Sequence, residues 1–218
     1  MDEKQTNDNI KDTVDRYEKY DSSPEKKKKK TKKEIFSYLR IIIIAVGAAI
    51  VLVTCIIINA KVPSGSMEDT IHEGDRLIGL RVAYLFSSPQ RGDIVIFKYP
   101  DDESKKFIKR VIGLPGDTVS FTDGDVYVNG EKLDEPYLKE QHITFSPNET
   151  SYTVPNGCYF MLGDNRGNSK DSRYWAEPFV QKNKILAKAL FRYYGTYETT
   201  DKEGNTVLKQ GINFAGLK

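Results

Sequence analysis

Phe107-Ile108-Lys109-Arg110-Val111-Ile112 is a run of β-forming residues that ends at Gly113 and at the turn signal Pro115-Gly116-Asp117. Side chains alternate along a strand, so Phe107, Lys109 and Val111 share one face while Ile108, Arg110 and Ile112 share the other. The same signature recurs on both sides. Upstream, Asp93-Ile94-Val95-Ile96-Phe97-Lys98-Tyr99 is β-rich and stops at Pro100. Downstream, Thr118-Val119-Ser120-Phe121, Thr122-Asp123-Gly124-Asp125 and Val126-Tyr127-Val128 spell a hairpin, and Asn129-Gly130 a second tight turn. Residues 152–154 and 158–162 predict two further strands. Residues 183–194 fit either a strand or a short helix, because their apolar content does not decide. Short strands at this turn density predict a mainly β fold: an antiparallel sheet with a small β annex. No internal repeat is present.

N-terminal to this region lies the long apolar segment, residues 41–58, preceded by Arg40 and followed by Asn59 and Lys61. Eighteen uncharged helical residues rise roughly 27 Å, close to the apolar thickness of a bilayer. A soluble core helix is rarely apolar all round over this length. A cleavable signal peptide fits poorly, since forty residues precede the run and Ile58-Asn59-Ala60 offers no small-x-small site. The reading is an uncleaved anchor over residues 35–60, with Phe36 and Tyr38 at interface depth. Five consecutive lysines, Lys26 to Lys30, and then Lys32 and Lys33 lie just before it. The positive-inside rule puts them in the cytoplasm and residues 61–218 outside, in a single-pass cell-membrane protein. Residues 1–34 are polar and charge-rich and predict a disordered cytoplasmic tail.

The 218 residues carry 33 Lys+Arg against 31 Asp+Glu, a balance that argues against nucleic acid as a partner. Cys55 falls in the apolar run and Cys158 far downstream, so no disulfide is expected. No Cys/His cluster is present; neither a metal nor a cofactor is expected.

Three clusters could carry chemistry. Val62-Pro63-Ser64-Gly65-Ser66-Met67 follows the anchor directly; Ser-Gly-Ser is also a common turn. Lys109 sits between apolar neighbours, where burial would lower its pKa and leave an amine able to take a proton from a hydroxyl. An edge-strand lysine that blocks aggregation would read the same way. The third cluster is Gly163-Asp164-Asn165-Arg166-Gly167-Asn168-Ser169-Lys170-Asp171-Ser172-Arg173, in which carboxylate–guanidinium pairs could lock a loop into one shape. The two histidines, His72 and His142, lie in polar stretches and read as surface residues, which moves the base assignment toward lysine. Arg91-Gly92-Asp93 reads as a turn opening a strand, and Asn148-Glu149-Thr150 as an exposed loop.

In order and spacing the three clusters, together with residues 91–97, resemble the type I signal peptidases over roughly residues 35–194, in the single-anchor form of Gram-positive bacteria. The resemblance implies a serine endopeptidase that removes signal peptides from secreted preproteins. It makes Ser66 the nucleophile and Lys109 the general base. Ser64 and the backbone N–H of Ser66 would form the oxyanion hole, and Ser169 would orient the lysine amine. Asp164, Arg166, Asp171 and Arg173 would hold the site together. Val62 and Ile108 would shape shallow pockets for small residues, with substrate added as a β-strand. Met67 and nearby apolar residues would touch the membrane. The family often has a residue and then Pro-Thr-Leu after the methionine; here Glu68-Asp69-Thr70-Ile71 stands instead. The stretch after Gly195 lies outside the pattern.

Overall fold

The computed structural model describes residues 10–17, 24–68, 70–138, 143–201 and 203–217, with side chains described outside residues 24–31. The chain divides into two compact units, residues 1–53 and 54–218.

The first unit is helical. Residues 10–17 form a short helix. A second helix runs from Pro24 to Ile56, and its stretch Lys32–Ile56 is long and apolar enough to cross a membrane. Helix in residues 10–17 and 24–34 departs from the tail expected from composition. Lysine and glutamate are good helix formers, and a helix nucleated by the apolar segment extends at the low cost of propagation.

The apolar run also ends differently from the expectation. The helix stops at Ile56, and Ile57–Lys61 forms strand β1. Ile58 is buried against Ile96 and Ala187 in the β unit. Hydropathy reports only that a residue leaves water, so the tail of the apolar run belongs to a protein core.

The second unit contains two antiparallel sheets. In chain order its strands are β1, β2 (Arg76–Leu80), β3 (Ile94–Tyr99), β4 (Asp102–Gly113), β5 (Thr118–Thr122), β6 (Asp125–Val128), β7 (Glu131–Lys132), β8 (Ser151–Thr153), β9 (Cys158–Leu162), β10 (Phe179–Gln181), β11 (Ile185–Thr200) and β12 (Thr206–Gly216). The large sheet has the order β1-β2-β11-β3-β4-β9-β10, with β12 paired to β11. The small sheet, β7-β6-β5-β8, is the expected annex. Residues 183–194 resolve as a 3-10 turn at Lys182–Lys184 leading into β11. That strand continues past Gly195 into a long hairpin with β12.

The annex is made by its turns. Asp123 and Asn129 have φ of 52° and 54°, and the glycines that follow, Gly124 and Gly130, 86° and 84°. Asp-Gly and Asn-Gly tolerate this left-handed pair better than other dipeptides. Val119, Phe121, Val126, Val128 and Tyr152 of the annex close a core with Ile112, Phe160 and Leu162 of the large sheet. Each such buried side chain stabilises by about 1.5–3 kcal/mol. A second core, built on Val95, Phe97, Val111 and Trp175, fills the large sheet. β4 lies between β3 and β9, so Lys109 is on an interior strand and the edge-strand reading is excluded.

Candidate active site

Val62-Pro63-Ser64 leaves β1 in extended form, and Ser64 keeps φ −152° and ψ 155°. The chain then tightens into one 3-10 turn, Gly65–Met67, which lifts Ser66 out of the strand direction. Two contacts from the distant third cluster hold this turn: Asn165 Nδ2 donates to the Gly65 carbonyl at 2.9 Å, and the Asn165 N–H donates to the Ser66 carbonyl at 3.2 Å.

Beneath the turn, Met67 is only 1% exposed and packs with Val62, Ile71, Leu77, Ile94 and Ala189. This corrects the expectation that Met67 touches the membrane. Its side chain pins the nucleophile turn to the core instead. Val62 is buried in the same cluster, and half-buried Ile108 packs against it.

Lys109 enters from β4 with 3% exposure. Its Nζ lies 2.6 Å from Ser66 Oγ, donates to the Ile108 carbonyl at 3.1 Å, and sits 5.5 Å from the Phe107 ring centroid. Burial pulls its pKa down from 10.5 to about 8; Asp171 and Asp164 oppose the drop and Arg173 assists it. The neutral amine, with its lone pair toward Ser66 and an N–H toward Ile108, is therefore accessible near neutral pH. Ser64 Oγ stands 3.5 Å from Ser66 Oγ. Ser64 Oγ and the Ser66 backbone N–H, on one turn, can meet a developing oxyanion.

The loop after β9 is held by three ion pairs. Asp171 and Arg173 pair with each other at 2.8 Å, and Asp171 Oδ2 accepts the Gly163 N–H at 3.0 Å. Asp164 and Arg166 do not pair with each other. Asp164 takes a bidentate pair from Arg110 at 2.9 and 2.7 Å and accepts the Thr70 hydroxyl at 2.5 Å. Arg166 grips Glu135, and Tyr137 lies under Arg110 with the guanidinium carbon 3.8 Å from its ring centroid. Arg173 also donates to the Arg166 carbonyl at 2.9 Å. Nearly every charged group here is buried. Buried ions persist only when partnered on several sides, so this loop has one shape.

Ser169 is buried, and its hydroxyl has no hydrogen-bond partner among the described residues. Gly163 explains its placement, since a Cβ there would collide with both Ser169 Oγ and the Ser66 carbonyl oxygen. Thr70, Arg110, Glu135, Tyr137 and Asn165 complete the site without having been singled out from the sequence. Asn165 and Arg110 stand inside quoted motifs, but nothing local marks Glu135 and Tyr137 as their partners. His72 is half-buried, its N–H donating to Asp75 at 2.9 Å; His142 lies outside the described residues.

A family model described as signal peptidase, peptidase S26, matches residues 35–194. The chain is 44% identical over 141 residues to a probable signal peptidase I-2 of Synechocystis, an alignment covering 61% of each. It is thus matched over less than two thirds of that relative's length. Signal peptidase I V of Bacillus subtilis is 41% identical over 152 residues, 65% of this chain and 89% of the relative. A crystal structure of a signal peptidase I from Enterococcus faecalis is 39% identical, covering 47% of this chain and 97% of that one, with a TM-score of 0.39.

Proposed function

The chain belongs to the signal peptidase family, peptidase S26, and from that premise we propose that it is a membrane-anchored serine endopeptidase that removes signal peptides through Ser66 and Lys109. One observation carries the reading: a serine hydroxyl 2.6 Å from a buried lysine amine whose pKa is depressed to about 8. Histidine has no part in it.

The neutral Lys109 amine takes the Ser66 proton as Oγ attacks the scissile carbonyl. Negative charge gathers on that carbonyl oxygen, where the Ser66 N–H and the Ser64 hydroxyl receive it. The Lys109 ammonium then returns the proton to the leaving amine, and a water repeats the sequence to free the acyl-enzyme. Ser169, whose buried hydroxyl is uncommitted, orients the amine. Asp164, Arg166, Asp171 and Arg173 act at one remove by fixing the loop that holds the Ser66 turn.

The substrate lies as an added strand between the 62–66 segment and β4, with Val62 and Ile108 beneath residues of small size. The apolar helix spans the bilayer with its lysine-rich end in the cytoplasm, and the β unit stands outside, where a preprotein's cleavage site emerges. Seven extended residues from Asn59 to Ser66 span at most roughly 25 Å, which keeps the nucleophile near that level.

Ser66→Ala and Lys109→Ala should each abolish processing of a model preprotein while leaving the fold intact. Full processing by either purified variant refutes the assignment. Preproteins with small residues at the last and third-last signal positions should be cut best.

A further inference from the structure

β1 and β2 are antiparallel with Ile57 opposite Leu80, and Ile57 is the first residue after the apolar helix. Leu80 therefore shares the depth of the helix end to within one strand spacing, about 5 Å. Beyond Leu80 the chain makes a 3-10 turn, Arg81–Tyr84, and then presents Leu85 and Phe86. Leu85 is 66% exposed and Phe86 101%. Such a pair standing in water contributes nothing to the core.

The loop displaying them is built, with bonds on both sides. The Leu85 N–H donates to the Val82 carbonyl at 3.2 Å, and Ser87 Oγ to the Ala83 carbonyl at 2.7 Å. Tyr84 OH donates to Asp93 at 2.8 Å. Lys182 Nζ donates to the Ser87 carbonyl and Ser88 Oγ at 2.9 and 3.1 Å. Arg81 Nε reaches back to the Ile57 carbonyl at 3.3 Å. Two exposed cations, Arg81 and Lys182, thus flank the apolar pair.

We propose that Leu85 and Phe86 form a second membrane contact, a wedge entering the headgroup–acyl boundary of the outer leaflet with Arg81 and Lys182 beside lipid phosphates. The proposal rests on the reading that the apolar helix spans the bilayer with the β unit outside. Register selects this pair over the exposed Leu208 and Ile212 of β12. Tyr194 faces both Arg76 and Ile212, and Arg76 faces Lys61, so those side chains lie at the end of β1 away from Ile57. Four residues of strand put that end roughly 13 Å further off.

The test uses the full chain reconstituted in phosphatidylcholine vesicles with either ordinary or brominated acyl chains. Phe86→Trp adds one indole to a chain whose single tryptophan, Trp175, is buried. The expected result is a blue-shifted added emission, most of which is lost in brominated lipid. Added emission at the water wavelength and indifferent to bromination overturns the proposal. So does a blue shift without bromine quenching, which would mark burial against a second copy. Preprotein cleavage is scored on the same vesicles. Cleavage without quenching removes the wedge alone; quenching without cleavage removes the enzymatic reading and leaves the wedge standing.

Discussion

Replacing Lys109 by methionine should leave an inactive protein that is more stable at neutral pH. The side chain is held at a pKa of about 8 against 10.5 when solvated. Each tenfold in proton affinity is worth about 1.4 kcal/mol, so holding this group costs roughly 3 kcal/mol below pH 8. The sign follows from proton counting. Between about 8 and 10.5 the unfolded chain binds the proton and the folded one does not, so folding strengthens as pH rises through that window. Below it the cost is complete; above it the cost has gone. Lys109→Met keeps the stem length and removes the titration. It also forfeits the contacts to Ser66 and the Ile108 carbonyl, about 1 kcal/mol each. A net gain of about 1–2 kcal/mol at pH 7 remains, of order 1 M in urea midpoint. Trp175, buried against Phe97, Tyr99 and Phe107, reports the transition by fluorescence. The advantage of Lys109→Met over the parent should shrink by about 3 kcal/mol between pH 7 and pH 10.5. A difference that does not move with pH would refute the claim that burial depresses this amine, whatever its value at any single pH.

Other outcomes follow from the same geometry. The cleavage rate should rise with pH through about 8 and fall roughly tenfold for each pH step well below it, since the base must be neutral; kcat/KM profiles on a short peptide check this. Asn165→Ala should lower kcat by about tenfold with little change in KM, because it releases the Gly65 carbonyl and loosens the turn rather than a substrate contact. Gly163→Ala should cost more than a hundredfold in kcat, by forcing Ser169 and the Ser66 carbonyl apart. Asp164→Asn removes the carboxylate facing the buried Arg110 guanidinium and should destabilise the β unit by about 3–5 kcal/mol, read from urea unfolding.

Much of this could be read in the residues. The alternation through Lys109 gave its strand, its buried face and the direction of its pKa, because a strand's period maps sequence onto faces. Asp123-Gly124 and Asn129-Gly130 gave the annex hairpins through a backbone conformation that few other residues accept. Other features escaped for physical reasons. The Arg76–Leu80 strand is five residues long and carries no turn signal that distinguishes it from a loop. Ile57 and Ile58 were assigned to the anchor because lipid and protein core look alike to hydropathy. Met67 was sent outward because its neighbours are polar in sequence while its packing partners lie on β2, β3 and β11. Asp164 and Arg166 stand two apart, yet their partners are Arg110 and Glu135, choices that exist only once the sheets have met.

Ser66 and Lys109 are 43 residues apart, and the loop that steadies them begins a further 54 residues on. Until those segments assemble, the lysine is a hydrated cation and the serine an ordinary alcohol. Reactivity therefore arrives with the last act of packing. A chain still crossing the bilayer carries no edge that could cut itself or its neighbours.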